Sequence, residues 1–293
     1  MRFAGSLLVA VLLLGAPGCS RSAVVVGSKN FSEQIILGEI VAQLLEERGE
    51  NVDRKLNLGG SFICHAALVS GQMDVYIEYT GTALTAILKQ PVLHEPEEAY
   101  RRVEEEYRER FGLAWGAPLG FNNTYAMAMR SDHAAQLQVS RISDLAPHVG
   151  SIRPGFGHEF LERQDGYRQL AEAYGLDFTI PPRGMQLGLI YQALDEEIVD
   201  LIAGNSTDGL IEKFGLTVLE DDRKFFPPYY AAPVYRPEAA RAHPALAEVI
   251  EMLGGAIGEA QMRALNLSVD VDRRAASDVA REFLSEQGWV HAP

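Results

Sequence analysis

The chain alternates short runs of β-branched residues with amphipathic helical stripes. Residues 23–26 form an apolar run typical of a buried strand, and Ile36, Ile40 and Leu44 then recur at helical spacing until Gly49. Similar pairs of strand and helix follow along most of the chain. Strands that alternate with helices favour parallel sheets covered by helices. The sequence therefore predicts an α/β fold.

The first helix carries a candidate capping signal. Asn30 precedes the helical stripe, and Glu33 lies three residues further on, which is the spacing of a capping box. We therefore expect Asn30 to cap this helix, with Glu33 as its local partner.

Further strands are predicted near 73–77, 120–129, 150–152, 178–180 and 198–203. Further helices are predicted at 62–70, from about 82, and at 97–111, 158–173, 185–195, 208–214 and 243–286.

One helix–strand–loop–helix unit occurs in both halves of the chain. Residues 67–82 lead through Asp74 and a strand to a polar loop, and residues 193–208 do the same through Asp200. Chance similarity between common βα units is the alternative explanation. The repetition favours two similar lobes.

The two lobes are predicted to be joined near 120–125 and 226–232, so that the C-terminal helices return to the first lobe. The predicted divisions are a leader at 1–18, one lobe from 19–122 with 231–293, and a second lobe at 123–230.

Composition and motifs exclude several classes of function. The chain has 40 acidic and 26 basic residues, a formal charge of −14, which disfavours binding to nucleic acid or to anionic lipid. Nucleophile-elbow, zinc-protease and phosphate-loop motifs do not occur, and the seven histidines have no metal-ligand spacing. Cys64 and His65 are neighbours on a predicted helix and point in different directions. We expect no enzyme, no metal and no cofactor.

The N-terminus predicts export. Arg2 precedes an apolar stretch at 3–14 that is too short to span a bilayer, as in a signal peptide. The sequence at 16–19 is similar to a bacterial lipobox, which would make Cys19 a lipid anchor in the periplasm or at the cell surface. A plain secretory signal, with Cys19 incidental, is the alternative. Cys64 is then the one remaining cysteine, and we expect it to be a buried apolar residue.

Four predicted loops join strands to helices, where open α/β sheets bind ligands. The amino ends of helices carry free N–H groups that suit an anionic group. Lys29, Thr82 and Arg163 lie in or beside these loops and would add donors. Alternatively, Lys29 is a solvated lysine and Thr82 a helix cap.

Tyrosines mark the same regions of the chain. Tyr79, Tyr125, Tyr229 and Tyr230 fall at strand ends or at the predicted crossings. A quaternary ammonium group has no N–H to donate, so aromatic faces must replace its hydration. Packing of the hinge by these tyrosines is an equally good explanation of their positions.

Six motifs resemble those of the glycine betaine/choline/carnitine-binding proteins of ABC importers. They are GSKNFSEQ (27–34), EYTGTAL (78–84), GFNNTYAMAM (120–129), HEFLERQDGY (158–167), NSTDGLI (205–211) and EDDRKFFPPYY (220–230). The resemblance implies a two-lobe periplasmic-binding-protein-like fold of type II with a hinge of two crossing strands. It also implies an ABC permease subunit as partner and a small quaternary-ammonium or betaine ligand enclosed between the lobes.

The same resemblance implies roles for single residues. Tyr79, Tyr125 and Tyr229 would form an aromatic cage, with Tyr230 as an alternative to Tyr229. Lys29, Thr82 and Arg163 would bind a ligand carboxylate.

The chain departs from the family pattern at Asn205, where many members have a tyrosine. The loss of one aromatic wall would weaken a trimethylammonium contact by roughly 1–2 kcal/mol. The alternative ligand is therefore a larger betaine such as ergothioneine, whose ring could meet the amide. The alternative role is that of a binding protein that serves a sensor instead of a transporter.

Overall fold

The computed structural model describes residues 23–291, and their ten strands form two five-stranded sheets. The strands are β1 Val24–Lys29, β2 Val52–Gly59, β3 Val75–Tyr79, β4 Ala114–Trp115, β5 Tyr125–Arg130, β6 Pro154–Gly157, β7 Arg183–Met185, β8 Leu201–Asn205, β9 Leu216–Val218 and β10 Ala231–Tyr235. The leader and Cys19 lie outside the described residues.

Helices cover both sheets. They are α1 Ser32–Glu47, α2 Ser61–Val69, α3 Thr80–Thr82, α4 Pro96–Phe111, α5 Ser131–Leu137, α6 His158–Glu162, α7 Tyr167–Tyr174, α8 Ile190–Asp195, α9 Gly209–Lys213, α10 Pro237–Ala242, α11 Pro244–Leu253, α12 Glu259–Asp270 and α13 Ala276–Glu286. A π-helical turn, Ala83–Ile87, continues α3, and two 3₁₀ turns lie at Ile142–His148 and Leu187–Leu189.

The two sheets have the same topology. The first has the order β2-β1-β3-β10-β4 and the second the order β7-β6-β8-β5-β9. In each sheet three strands are parallel, and the fourth, β10 or β5, is antiparallel to its neighbour β3 or β8. The predicted α/β fold with two lobes is confirmed.

The repeated sequence unit corresponds to a repeated hydrogen-bond pattern. The Asp74 N–H donates to the Val25 carbonyl over 2.8 Å, and the Asp74 carboxylate accepts from the Val25 N–H over 2.9 Å. Asp200 makes the same two bonds with Arg153, over 2.8 and 2.9 Å. Each aspartate thus aligns the strand that follows it with its parallel neighbour.

Two connections, 116–124 and 219–230, join the sheets and run side by side. The Asn123 N–H donates to the Tyr229 carbonyl over 3.0 Å, and the Tyr229 N–H donates to Asn122 Oδ1 over 2.7 Å. This pairing is the predicted hinge of two crossing strands. The lobe boundaries at 122/123 and 230/231 stay a prediction.

The C-terminal helices contact both lobes. Gln43 in α1 donates a side-chain hydrogen bond over 2.8 Å to the Ser277 carbonyl in α13. In the second lobe, Gly209 at the start of α9 lies against Leu267 of α12, where a Cβ on the glycine would be 2.7 Å from the Leu267 Cα. Helix α13 thus packs on the first lobe and α12 on the second, and the assignment of the C-terminal helices to the first lobe stays a prediction.

The prediction of a cap at Asn30 is wrong. Helix α1 begins at Ser32, and its N-cap residue, Phe31, makes no side-chain capping bond. The Asn30 N–H instead donates to the Gly59 carbonyl over 3.1 Å. This bond continues the pairing of β1 with β2, in which Lys29 lies opposite Gly59. Glu33 is buried rather than placed at the helix surface.

Other differences from the prediction have local causes. Strand β2 was not predicted, because this edge strand is largely polar and lacks an apolar run. The predicted strand at 178–180 is absent, and the pairing lies at β7 instead. The predicted helix at 158–173 is broken before Gly166, where a Cβ would lie 2.0 Å from the Phe160 carbonyl oxygen.

Candidate ligand-binding cleft

A cavity of about 370 Å³ lies where the two lobes face each other. The loops that follow β1, β3, β6 and β8 supply most of its lining, so it lies at the carboxyl ends of parallel strands in both sheets. Its size suits a small organic molecule.

Seven of the eight predicted binding residues line this cavity. They are Lys29, Tyr79, Thr82, Tyr125, Arg163, Asn205 and Tyr229. Tyr230 does not line it, and its N–H donates to Thr80 Oγ1 in the hinge over 3.0 Å. The structure thus favours Tyr229 over Tyr230 as the tyrosine that faces the cleft.

Aromatic rings form two walls of the cavity. On one side the ring centroids of Tyr125 and Tyr229 are 5.7 Å apart and nearly perpendicular, and Phe160 lies 4.7 Å from Tyr125. On the other side Phe31 stacks on Tyr79 with centroids 6.4 Å apart. Phe31 and Phe160 were missed from the sequence, although each lies within three residues of a predicted site residue. A phenylalanine is usually a core residue, so the sequence gives no sign that these two rings line a cavity.

The lysine and the arginine that line the cavity are each paired with a buried carboxylate. The Lys29 ammonium contacts Glu78, and the Arg163 guanidinium binds both oxygens of Asp165, over 2.8 and 2.5 Å. Burial raises the pKa of Asp165, but the Arg163 charge and the hydrogen bonds from Arg163, Tyr229 and Thr85 together outweigh it and hold this pKa below its usual value. The predicted role of Lys29 and Arg163 as partners of a ligand carboxylate stays a prediction.

The same cations lie near the cavity tyrosines. Lys29 Nζ is 4.6 Å from the centroid of Tyr79. Arg163 Cζ is 5.7 Å from the centroid of Tyr125 and 6.0 Å from that of Tyr229. These distances are within the range in which a ring face attracts a cation. The rings therefore already contact positive charge supplied by the chain itself.

Glu159, which was not predicted as a site residue from the sequence, adds a carboxylate to the wall of the cavity. Its Oε1 lies 3.2 Å from Arg163 Nη1, and its Oε2 accepts from the Ser61 N–H over 3.5 Å, so it joins the two lobes. Arg163 Nη1 also donates to Thr82 Oγ1 across the cavity, over 3.2 Å. The spacing of four residues between Glu159 and Arg163 was the available signal.

Glu33 accepts four hydrogen bonds in a fully buried position behind Tyr79. Its Oε1 accepts from the Tyr79 hydroxyl over 2.6 Å and from Asn123 Nδ2 over 2.8 Å. Its Oε2 accepts from the Thr207 hydroxyl over 2.5 Å and from Asn266 Nδ2 over 3.0 Å. Burial raises the pKa of Glu33 above its usual value, although all four bonds oppose this.

Asn205 is fixed by the acid three residues beyond it. The Asp208 carboxylate accepts from the Asn205 N–H over 3.0 Å and from the Tyr191 hydroxyl over 2.5 Å. The Asn205 Nδ2 lies 3.4 Å from both Asp208 oxygens. Burial raises the pKa of Asp208 to about 7.

The raised pKa of Asp208 predicts a fold that loses stability as the pH rises. Unfolded Asp208 releases its proton near pH ~4, whereas folded Asp208 keeps it until about pH 7. Its contribution to the free energy of unfolding is therefore complete below pH ~4 and declines up to about pH 7. Urea unfolding of the wild type and Asp208→Asn across this range should show a steeper decline in the wild type, because Glu33, whose pKa is also raised, is present in both. Parallel curves would contradict the prediction.

Cys64 is predicted to be unreactive in the folded protein. Burial, with smaller effects of nearby charges, raises the pKa of its thiol to about 12. In a Cys19→Ser background, a thiol reagent at about pH 8 should label Cys64 only after urea is added, because the thiolate is the reactive form. Rapid labelling without urea would contradict this. We also expect Cys64→Ser to leave ligand affinity unchanged.

Two further features bear on the kind of protein. Between residues 23 and 291, no helix combines the length and the apolar character needed to cross a bilayer. In the same part of the chain, no three His, Cys, Asp or Glu side chains form a group suited to a metal ion.

Comparison with known proteins agrees with this architecture. Residues 22–286 match the model of the family described as the substrate binding domain of ABC-type glycine betaine transport system. The chain is 38% identical over 296 residues to the glycine-betaine-binding protein of Pseudomonas aeruginosa, covering 97% of this chain and 94% of that protein.

A second relative and a solved structure extend the comparison. The chain is 34% identical over 280 residues to an ergothioneine transport permease/ergothioneine binding protein of Helicobacter pylori, covering 95% of this chain and half of that protein. A crystal structure described as a glycine betaine/carnitine/choline ABC transporter is 34% identical, with a TM-score of 0.74, and covers 91% of this chain and 99% of that one. The chain thus belongs to the family of substrate-binding domains of ABC-type glycine betaine transport systems.

Proposed function

We propose that this protein captures a small quaternary-ammonium solute between its two lobes and delivers it to the permease of an ABC importer. The observation that carries the proposal is the convergence of Tyr79, Tyr125 and Tyr229 on one cavity. A quaternary ammonium group offers no N–H hydrogen bonds, so ring faces supply the attraction that replaces its hydration. The protein then acts by binding and domain closure, without a chemical step.

Closure has a structural basis in the bonds that cross the cavity. Arg163 and Glu159 from one lobe contact Thr82 and Ser61 from the other. A ligand held by both walls would favour this closed arrangement over an open one, and the permease would recognise the closed form.

Zwitterionic ligands add a second requirement. Lys29, Thr82 and Arg163 line the cavity and are the proposed donors for a ligand carboxylate. Each of the two cations would then share its charge between the ligand and its own carboxylate partner, Glu78 or Asp165.

The protein works outside the cytoplasm, as a substrate-binding protein of an importer must. We propose that the segment at 1–18 directs export and that Cys19 carries the lipid anchor. Growth with labelled lipid precursor should label the wild type, and Cys19→Ser should remove the label. A labelled Cys19→Ser variant would exclude the anchor.

Ergothioneine is a second candidate ligand. It is favoured by Asn205, which replaces an aromatic wall with an amide, and by the similarity to the ergothioneine binding protein of Helicobacter pylori. The imidazole-derived ring of this betaine offers groups that an amide can bind.

Calorimetric titration of the purified protein with glycine betaine, choline, carnitine, proline betaine and ergothioneine tests the proposal. We expect saturable binding of at least one of them, and the ranking of affinities would show what Asn205 selects. A folded, ligand-free protein that binds none of the five would overturn the proposed ligand class.

A further inference from the structure

The carboxylates around the cavity differ in their partners. Glu78 contacts the Lys29 ammonium, and Asp165 binds the Arg163 guanidinium. Glu33, in contrast, accepts only from hydroxyl and amide groups, and none of its partners among residues 23–291 is a lysine or an arginine. Hydrogen bonds from neutral donors stabilise a carboxylate without cancelling its charge. Like Asp208 beside Asn205, Glu33 is therefore a buried acid with no basic partner among the described residues, and Glu33 is the one bonded to Tyr79.

Glu33 lies directly behind a wall of the cavity. The Tyr79 ring lines the cavity, and its hydroxyl donates to Glu33 Oε1 over 2.6 Å. Glu33 itself is not among the lining residues. A phenol that donates to a carboxylate carries more electron density on its ring face, and that face is what attracts a cation. The charge of Glu33 thus reaches the cavity through Tyr79.

The position of Glu33 is fixed from several parts of the fold. Its donors belong to β3, to the crossing connection at 116–124, to the loop after β8 and to α12. Asn266 reinforces the arrangement, because its Nδ2 also donates to the Thr207 carbonyl over 2.9 Å. A charge held by fixed donors needs little reorganisation when a ligand arrives.

We propose that Glu33 is the counter-charge of the ligand cation and that it acts through the hydroxyl and ring of Tyr79 without touching the ligand. It is a positioning residue, and the inference rests on the proposed capture of a quaternary ammonium group. A bound ligand cation would also explain why an acid with no basic partner occupies this place. Burial of a carboxylate beside neutral groups is costly, and a bound cation offsets that cost.

The test compares a cation with its neutral carbon analogue. Choline and 3,3-dimethyl-1-butanol have the same shape, but only choline is charged, so the ratio of their affinities isolates the effect of charge. We expect Glu33→Gln to lower this ratio by about tenfold, or ~1.4 kcal/mol. If the wild type prefers glycine betaine, then glycine betaine and 3,3-dimethylbutanoate form the equivalent pair.

Glu39→Gln is the matched control. Glu39 lies on the same helix and is also buried, but its carboxylate is paired with Arg54, 3.1 Å away. This variant should leave the ratio unchanged. An equal loss of affinity for the charged and the neutral ligand in Glu33→Gln would show a purely structural role and would overturn the inference.

Two further outcomes are distinguishable. If Glu33→Gln does not fold, Tyr79→Phe keeps the ring but removes the bond to Glu33, and it should lower the same ratio. An unchanged ratio in that variant also overturns the inference. A wild-type protein that binds none of the cations removes the proposed function itself, whereas tyrosine-dependent binding with an unaltered ratio removes only the role of Glu33.

Discussion

Replacement of Tyr125 by alanine is expected to weaken binding of a quaternary ammonium ligand by about 30-fold, or ~2 kcal/mol. The ring lines the cavity and lies 5.7 Å from Tyr229 and 4.7 Å from Phe160, so its loss removes one face and loosens two others. Tyr79→Ala should have an effect of the same order. Titration calorimetry measures both.

Tyr230→Ala is the control for this prediction. Tyr230 is the chain neighbour of Tyr229 but lies outside the cavity, so its truncation should change the affinity by less than about threefold. Tyr125→Phe, which keeps the ring, should bind nearly as well as the wild type. If Tyr79→Ala and Tyr125→Ala both retained wild-type affinity, the aromatic cage would be excluded.

Arg163→Met is expected to destabilise the fold by about 3–5 kcal/mol. The side chain is buried, and so is that of Asp165, which would lose its ion pair and remain as a charge without a cation. The variant also loses the bond to Thr82 across the cavity. Urea unfolding without ligand measures the change in the free energy of unfolding.

A double variant separates the ion pair from simple packing. Arg163→Met with Asp165→Leu removes both charges and should recover much of the lost stability, because a buried pair of apolar side chains carries no desolvation cost. As a surface control, Arg241→Met breaks an exposed pair with Glu238 and should leave the free energy of unfolding nearly unchanged. A loss below about 1 kcal/mol in Arg163→Met would contradict the prediction.

The sequence predicted those parts of the fold and of the cavity that depend on a local or repeated pattern. The two similar lobes were recognisable because Asp74 and Asp200 recur in equivalent units, and each aligns a strand through the same two bonds. The cavity was predictable because loops after parallel strands meet at one edge of a sheet. The tyrosines were recognisable as candidate site residues because they fall at strand ends and crossings, outside the apolar stripes of the helices.

Glu33 shows why other parts of the site could not be predicted. Its spacing from Asn30 matches a local cap, yet its partners include Thr207 and Asn266, which are distant in the sequence. A local motif competes with long-range contacts, and the sequence alone does not contain the geometry that decides between them.

The pairing of Lys29 with Glu78 was hidden for the same reason. A strand presents alternate side chains to opposite faces, but which face meets a particular lysine depends on how β1 and β3 are aligned. The register of these strands is a property of the sheet and not of either segment.

The position of β10 has a consequence for synthesis and export. This strand lies between β3 and β4, so the first sheet is completed by residues that follow the whole of the second lobe. The second sheet, in contrast, is built entirely from the continuous segment between β5 and β9. As the chain emerges from its amino end, the second lobe can therefore finish folding while β3 still has an open edge. An open strand edge invites pairing with other chains, so release of the last 60 or so residues is the step at which the nascent protein becomes safe from aggregation.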